Sequence, residues 1–286
     1  MKNNTFIDFP APAKLNLFLH ITGQRIDGYH ELETVFQFLN YGDTLSFLID
    51  DSEKINLLTP IAGVDDNDNL IVKAAKLLQQ ATQCHQGVSI KINKVLPMGG
   101  GLGGGSSNAA TVLVALNALW KTNLSTEHLA AIGLTLGADV PIFIHGFAAF
   151  AQGIGEILTP VQPKEYWYLV SKPVCSISTP AVFSSKDLPR NTPTLVLATL
   201  DIDTCHNDCQ TMVIKHYPMV ANLLAWLVEY APSRMTGTGA CIFTRFNSQQ
   251  EALDLQDKLP LGIESFVAQG VNQSPLLGSV NNILKK

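Results

Sequence analysis

Cysteine and charge are both scarce in this sequence, and their scarcity argues against several classes of protein. Only 15% of the residues are charged, and 19 Lys and Arg against 24 Asp and Glu leave a net charge of -5 at pH 7. This balance provides no basic surface for nucleic acid or for an acidic membrane, so we expect neither as a partner. The five cysteines are scattered and odd in number, which argues against a secreted disulfide framework.

Long hydrophobic runs are lacking as well. Residues 1–4 do not have the apolar core of a signal peptide, and the longest apolar stretch, around residues 112–120, is too short to span a bilayer. Residues 205–209 hold two cysteines and a histidine, but no second Cys/His pair stands at zinc-finger spacing, so we predict a polar loop there without metal. We expect a soluble, cytoplasmic protein that is long enough for two domains.

What the chain does contain is a glycine-rich segment at residues 96–108, Leu-Pro-Met-Gly-Gly-Gly-Leu-Gly-Gly-Gly-Ser-Ser-Asn. Glycine has no Cβ, so a glycine run lets several backbone N–H groups converge on one anion. Alternating apolar residues at 88–92 predict a strand before the loop, and an apolar run after it predicts a helix with Ser106 or Ser107 as N-cap. The helix start adds a positive dipole end, so the unit is predicted to bind phosphate.

Two other interpretations of the loop fit the sequence less well. The spacing from Gly100 to Gly105 resembles a Walker A motif, but Ser106 stands where that motif requires lysine. The pattern G-x-G-x-x-G also occurs, starting at Gly99, although any glycine run satisfies it and the preceding strand alternates instead of being apolar throughout. A flexible Gly-Ser linker is a further alternative, but linkers seldom lie between a strand and a helix.

Two charged residues stand in unusual surroundings. A strand predicted over residues 12–21 places Lys14 and Asn16 on one face, which by itself favours a solvated face with an extended lysine side chain. Asp139 interrupts an apolar stretch at residues 137–144, where it is either the N-cap of a short helix or a functional base.

Aromatic residues follow the first strand. A tight turn is predicted at residues 27–28, directly before Tyr29 and His30, and a second turn at residues 42–43. Aromatic rings and a histidine beside a turn can bind a flat base by stacking and edge hydrogen bonds. The alternative for Phe36 is an ordinary place in the core.

Further signals divide the chain. Asn67 or Asp68 is predicted to cap a helix that runs to about residue 83, and Ser125 to cap another that ends near Gly137. Two prolines in residues 158–163 mark a domain boundary, after which strands and helices alternate.

Several of these segments together resemble the GHMP small-molecule kinases, namely residues 12–17, 28–30, 97–107, 137–141 and 236–240. The resemblance extends over almost the whole chain, although Leu277 stands where many relatives have histidine. It implies an α+β, two-domain GHMP kinase fold. Residues 1–160 would form a ribosomal-protein-S5-like N-terminal domain that binds ATP, and residues 161–286 a ferredoxin-like C-terminal domain, with the substrates between them.

The resemblance also implies an activity, the ATP-dependent phosphorylation of a small alcohol that carries a diphosphocytidyl group. Asp139 would be the catalytic acid/base, with Lys14 beside the transferred phosphoryl group. Magnesium is expected with ATP, but no ligand is assigned beyond the alternatives Ser106 and Ser107. A monomer and a homodimer both remain open, as do a kinase for another alcohol, an ATP sensor and an NAD-dependent oxidoreductase.

The binding residues implied by the resemblance fall into two groups. The ATP group is Pro97, Met98, Gly99, Gly100, Gly101, Leu102, Gly103, Gly104, Gly105, Ser106 and Ser107, with Lys94, Asn69 and Asn108 nearby. The substrate group is Tyr29, His30, Phe36 and Phe183 at the cytosine end, with Asn16 and Thr179 at the polyol end.

Overall fold

The computed structural model of the chain describes residues 5–61, 63–65 and 68–284. The strands are β1 (Ile7–Gln24), β2 (His30–Asp50), β3 (Ile55–Leu57), β4 (Gly87–Asn93), β5 (Ala149–Gln152), β6 (Ile157–Pro160), β7 (Trp167–Lys172), β8 (Ser233–Met235), β9 (Ile242–Phe246) and β10 (Glu264–Val271). The helices are α1 (Leu70–Thr82), α2 (Gly104–Leu119), α3 (Thr126–Leu134), α4 (Val140–His145), α5 (Thr179–Ser184), α6 (Asp208–His216), α7 (Pro218–Val228), α8 (Gln249–Gln256) and α9 (Pro275–Leu284). One 3-10 turn, Leu197–Thr199, is also described.

The strands pair in the order β3-β4-β2-β10-β7-β9-β8, with β1 and β5 also on β2, and β6 on β5. β1 and β2 form a long antiparallel hairpin whose turn at residues 25–29 confirms the reversal predicted from residues 27–28. β10 joins the two halves of the sheet, since Gly270 pairs with Leu39 of β2 while Phe266 pairs with Val170 of β7. The mixed sheet and helices confirm the expected α+β class.

The long strand β1 is buried on both faces, so the solvated face predicted around Lys14 is wrong. Helices α2, α6 and α9 all contact this strand, and its residues from Ala11 to Ile21 are buried. Its register against β2 shifts between Pro12 and Lys14 and again between Asn16 and Leu19. These bulges break the simple alternation of faces that the sequence pattern implies.

The second turn predicted at residues 42–43 is also wrong, because β2 continues through it. Gly42 is needed there for a close approach of two backbones: a Cβ at Gly42 would lie 2.2 Å from the carbonyl oxygen of Ala11. The adjacent Asp43 side chain is fully buried. Residues typical of turns are therefore used here for backbone packing and for a buried carboxylate.

Several helices begin or end at other residues than the sequence predicts. Asn69 caps α1 by accepting from Ile71 N, where Asp68 was expected, and Asn67 lies outside the described residues. α2 begins at Gly104 after an N-cap at Gly103, so Ser106 and Ser107 belong to its first turn and do not cap it. Ser125 caps α3 as predicted, but the helix ends at Leu134 and not near Gly137.

The second half of the chain begins with β7, which starts at Trp167. Residues 205–209 are not a loop throughout, since Asn207 caps α6 and accepts from Cys209 N. The final helix, α9, returns to pack against β1 and α2. The domain limits 1–160 and 161–286 therefore stay a prediction.

The described residues contain no helix whose length and apolar character would let it span a bilayer. The expectation for residues 1–4 lies outside the described part of the chain. All five cysteines are free.

We predict that Gly42→Ala destabilises the protein by at least about 2 kcal/mol, because the added methyl group overlaps the backbone of β1. Gly23→Ala is the matched control on the same hairpin, since its Cβ would lie 3.8 Å from the nearest side-chain atom. We expect the control to change the stability by less than about 0.5 kcal/mol. Urea unfolding measures both, and equal midpoints for the two variants would contradict the role of Gly42.

Candidate active site

A buried lysine is the centre of the site. Lys14 Nζ lies 2.6 Å from Asn16 Oδ1, 3.0 Å from the carbonyl oxygen of Gly101 and 3.3 Å from Asp139 Oδ2. Lys14 is only 3% exposed, whereas Asp139 is 35% exposed. An ammonium group loses its hydration shell on burial, so it needs such acceptors. The cation is therefore held inside, and the carboxylate extends from it towards solvent.

Asn16 is itself held in one orientation. Its side-chain Nδ2 donates to Thr34 Oγ1 over 3.0 Å, and its backbone N donates to Thr236 Oγ1 over 2.9 Å. The Thr34 hydroxyl in turn donates to the carbonyl of Phe18. Since the amide NH2 is engaged, Asn16 presents its oxygen to Lys14. Thr34 was not singled out from the sequence, and Thr236 was noted only as part of the segment 236–240, without its contact to Asn16.

Asp139 occupies the N-cap position of α4, yet its side chain makes no capping hydrogen bond. Pro141 in the first turn of α4 lacks the N–H that a cap would otherwise help to satisfy. The carboxylate is instead paired with Lys14. Of the two alternatives for Asp139, the geometry therefore favours the functional one.

The glycine loop lies against Lys14 and against the turn that follows β8. Gly99, Gly101 and Gly103 have φ of 63, 76 and 71°, the left-handed region that favours glycine. A Cβ at Gly101 would lie 2.3 Å from the carbonyl oxygen of Thr236, and one at Gly103 would lie 2.8 Å from the Phe143 ring. Both positions thus require glycine for conformation and for space.

Backbone hydrogen bonds fix this loop on two sides. Lys14 N donates to the carbonyl of Leu102 over 3.0 Å, and Cys241 N donates to the carbonyl of Gly100 over 3.2 Å. The loop is therefore not a flexible linker. Its position is set by β1 from one half of the chain and by residues 236–241 from the other.

A second lysine stands at the entrance to the loop. Lys94 Nζ donates to Asp43 Oδ2 over 2.7 Å and to the carbonyl of Leu96 over 3.1 Å. The other oxygen of Asp43 accepts from Val95 N and Leu96 N, each over 2.9 Å. A Cβ at Gly104 would lie 3.2 Å from Lys94 Nζ, so this cation stands at the start of α2. Asp43, interpreted as part of a turn in the sequence, is the anchor of this arrangement.

Some of the polar side chains around the start of α2 line the cleft, and others are buried away from it. Ser106 lines the cleft described below, whereas Ser107 is fully buried and does not. Ser107 Oγ, Asn108 Oδ1 and Asn69 Nδ2 are buried without a hydrogen-bond partner among the described residues. Asn69 and Asn108 nevertheless line the cleft, so each can offer a polar group to a ligand.

All these elements surround one cleft of about 570 Å³. The residues predicted from the sequence that line it are Lys14, Asn16, Phe36, Asn69, Lys94, Pro97, Met98, Gly99, Gly100, Gly101, Leu102, Gly103, Gly104, Gly105, Ser106, Asn108, Asp139, Thr179 and Phe183. The predicted residues that do not line it are Ser107, Tyr29 and His30.

The aromatic end of the cleft is only partly assembled. Phe36 is both core and lining, 2% exposed, with Lys14 Nζ 5.4 Å from its ring centroid. His30 lies against Phe183 with ring centroids 5.2 Å apart and planes at 25°. Tyr29 is 60% exposed on the hairpin turn. Thr179 Oγ1 lies 2.9 Å from Thr238 Oγ1, which the sequence pattern did not suggest as a partner.

This fold, with a glycine loop before a helix and a Lys–Asp pair beside it, is that of a small-molecule kinase of the GHMP class. Residues 69–147 match the model for the GHMP kinases N terminal domain. Residues 188–262 match the model for GHMP kinases C terminal. The first match includes α2 and Asp139, and the second includes the helices α6, α7 and α8 of the second half of the chain.

Curated relatives cover nearly the full length. A 4-diphosphocytidyl-2-C-methyl-D-erythritol kinase of Colwellia psychrerythraea is 65% identical, over 96% of this chain and 93% of that protein. One from Shewanella frigidimarina is 60% identical, over 94% of this chain and 93% of that protein. The chain therefore belongs to the GHMP kinase family and, within it, to the family of 4-diphosphocytidyl-2-C-methyl-D-erythritol kinases.

Solved structures agree with this placement. A crystal structure of 4-(cytidine 5'-diphospho)-2C-methyl-D-erythritol kinase superposes with a TM-score of 0.80 at 29% identity, over 92% of this chain and 99% of that one. Homoserine kinase from Cytophaga hutchinsonii gives a TM-score of 0.65 at 16% identity, over 96% of this chain and 98% of that one, and shares the fold alone. The predicted two-domain GHMP kinase fold is confirmed.

We predict that Asp43→Asn raises the KM for ATP about tenfold, roughly 1.4 kcal/mol of binding. An amide would replace the carboxylate that holds Lys94 at the start of α2, where a cation can attract the phosphates. The substrate alcohol should keep its KM. Glu264→Gln is the control, since it removes the surface pair with Lys172, whose charged atoms are 3.8 Å apart. Steady-state kinetics measure both variants. An unchanged KM for ATP in Asp43→Asn would contradict the arrangement around Lys94.

Proposed function

We propose that this chain transfers the γ-phosphoryl group of ATP to the 2-hydroxyl of 4-diphosphocytidyl-2-C-methyl-D-erythritol, a step of the non-mevalonate route to isoprenoid precursors. The observation that carries the proposal is the pair of Lys14 Nζ and Asp139 Oδ2, 3.3 Å apart beside the glycine loop. The chain's membership of the kinase family named above supports this substrate.

In this mechanism Asp139 is the general base. Its carboxylate accepts the proton of the 2-hydroxyl while that oxygen attacks the γ-phosphorus, and the bond from phosphorus to the bridging oxygen breaks to release ADP. Phosphoryl transfer has a loose transition state, so positioning and electrostatics provide most of the rate. The exposure of Asp139, 35% against 3% for Lys14, leaves the carboxylate available to the alcohol.

Lys14 acts through its charge. Its ammonium already has three protein acceptors, Asn16 Oδ1, Gly101 O and Asp139 Oδ2, so it is held without further reorganisation. A fixed cation at this point offsets the negative charge that develops on the transferred group. The same contacts keep Asp139 beside the glycine loop.

We place the ATP phosphates on the glycine loop and the start of α2. N–H groups of a loop with left-handed glycines and of a helix N-terminus favour an anion there. Lys94 adds a cation at the same end, and Asn69 and Asn108 add unpaired buried polar atoms. Together these groups would provide the attraction for phosphate that the lysine of a Walker A loop provides in other proteins.

Mg²⁺ fits the proposed site through few protein ligands. Mg²⁺ in kinases keeps several waters and binds one or two protein oxygens together with the phosphates. Ser106 and Asp139 both line the cleft, and Ser106 Oγ would lie 3.8 Å from a Cβ at Gly137 in the turn before Asp139. Among the described residues no group of three or more His, Cys, Asp or Glu could hold a metal by itself. Bound there, the ion would neutralise phosphate charge.

The other end of the cleft is assigned to the substrate. Asn16 and Thr179 would contact the polyol, while Phe36 and Phe183 would contact the cytosine end, and all four line the cleft. His30 and Tyr29 are assigned to the base as well. His30 would act beside Phe183, on which it stacks, and Tyr29 from the hairpin turn would cover the base on binding.

We also propose a cytoplasmic location. All five cysteines are free, with Cys205, Cys209 and Cys241 buried. Burial raises the pKa of Cys209 and of Cys241 to about 12 in each case, so both remain thiols. Free thiols are typical of a reducing compartment, where ATP is available.

We predict that Asp139→Asn lowers kcat by about 10²–10⁴-fold, the usual contribution of a general base, without unfolding the protein. Asp254→Asn is the control, because Asp254 lies on α8, is no part of the cleft lining, and accepts from the exposed Gln250 side chain. ADP release, measured with and without the diphosphocytidyl alcohol, gives the rates. A decrease of less than about tenfold, roughly 1.4 kcal/mol, would contradict the assignment of the base.

The same assay tests the substrate. We expect ADP release to depend on the diphosphocytidyl alcohol and to stay at background with homoserine or galactose. Turnover of homoserine at a higher kcat/KM than the diphosphocytidyl alcohol would contradict the proposed function, while leaving the role of Asp139 intact.

A further inference from the structure

A cation outside the catalytic pair holds the aromatic end of the cleft together. Arg190 lies between α5 and α6, and its Nε donates to His30 Nε2 over 3.0 Å. Its Nη2 donates to the carbonyls of Phe183 and Ser185, over 3.0 and 2.8 Å, and its Nη1 donates to Leu188 O over 3.1 Å. The guanidinium thereby joins the start of β2 to the C-terminal end of α5.

This contact decides how His30 is protonated. An arginine side chain has only donors and keeps its charge throughout the pH range in which proteins fold. The Nε2 atom of His30 must therefore offer its lone pair to Arg190, which leaves the ring neutral with its proton on Nδ1. Burial and, after it, the charge of Arg190 lower the pKa of His30, in agreement with this geometry. Arg190 is the charged group that acts on this ring among the described residues.

The same guanidinium sets the position of Phe183. The carbonyl of Phe183 accepts from Arg190, while its ring stacks on His30 and lines the cleft. His30 is 7% exposed, and Arg190 is the partner of its side-chain hydrogen bond. The Arg190 guanidinium therefore fixes both the His30 ring, with its N–H at Nδ1, and the backbone that carries the Phe183 ring.

We propose that Arg190 is a positioning residue for base recognition, which holds His30 as the neutral, Nδ1-protonated tautomer beside Phe183 and thereby selects cytosine over uracil. The inference rests on the proposed function, which supplies a substrate with cytosine. The pairing edge of cytosine has acceptors at N3 and O2, whereas uracil has an N–H at N3. A fixed donor aimed at N3 suits cytosine and faces the N3–H donor of uracil, a mismatch that costs more than a missing contact.

The first experiment needs no substrate. In protein labelled with ¹⁵N-histidine, the chemical shifts of the two ring nitrogens distinguish the tautomers, and His30→Gln assigns the signals. We expect wild-type His30 at pH 7 to be neutral with its proton on Nδ1. A proton on Nε2, or a charged ring at pH 7, would overturn the proposal whatever the enzyme acts on.

The second experiment uses two variants. Arg190→Gln can accept as well as donate, so we expect mixed tautomers of His30 and a KM for the diphosphocytidyl alcohol raised about tenfold or more, with the KM for ATP unchanged. Arg190→Lys keeps a charged donor and should restore the Nδ1 tautomer and part of the affinity. Arg245→Gln, which breaks an ion pair with Asp203 away from the cleft, is the control.

Base selection and pH give two further readouts. We expect Arg190→Gln to reduce the kcat/KM preference for the cytosine substrate over its uracil counterpart at least about tenfold. Because the charge of Arg190 lowers the pKa of His30, its removal should move the acid limb of kcat/KM to higher pH. An unchanged tautomer together with an unchanged base preference would overturn the proposal, as would an equal loss for ATP and alcohol.

The two proposals fail differently. If the wild type does not phosphorylate the cytosine-bearing alcohol, the proposed function is wrong, while the tautomer of His30 still tests its link to Arg190. If the wild type does phosphorylate it and Arg190→Gln retains full base preference, the proposed function stands and the role of Arg190 is wrong.

Discussion

The burial of one ammonium group is the constraint on which the rest of the site depends. Lys14 lies inside the fold at 3% exposure, and a cation in that position is tolerated only if oxygen atoms surround it. The three that do so come from the same strand, the glycine loop and the turn before α4. Satisfying the charge of Lys14 therefore brings Asp139, the proposed base, and the glycine loop, the proposed phosphate site, to one point.

The shape of the loop follows from close backbone contact. Gly101 lies so near to Thr236 that a methyl group would overlap its carbonyl, and Thr236 also accepts from the backbone of Asn16. The turn after β8 thus contacts both the loop and the strand of Lys14. Residues from the two halves of the chain are interdependent here, because each satisfies backbone groups of the other.

Arg190 has the same kind of role at the other end of the cleft. A donor-only group decides the protonation of His30 and fixes the carbonyl of Phe183, as Asp43, which accepts from Lys94, decides the position of that lysine. Both charged side chains are bound to other protein groups. Neither lines the cleft, but each fixes residues proposed to bind a ligand. Neither stood out in the sequence, since each has partners more than 40 residues away.

Local chemistry is what the sequence determined by itself. The glycine run by itself indicated a phosphate site, and the resemblance of several short segments to the GHMP kinases indicated the family and most of the residues that line the cleft, because both depend on local sequence. Turn residues were less informative: Gly42 and Asp43 serve a continuous strand and a buried carboxylate, since packing against Ala11 overrides their local preference. Only the tertiary structure decided that Lys14 is buried, that Ser107 faces away from the cleft and that Arg190 controls His30. These outcomes depend on which distant groups meet, and a pattern within one strand or loop carries no information about that.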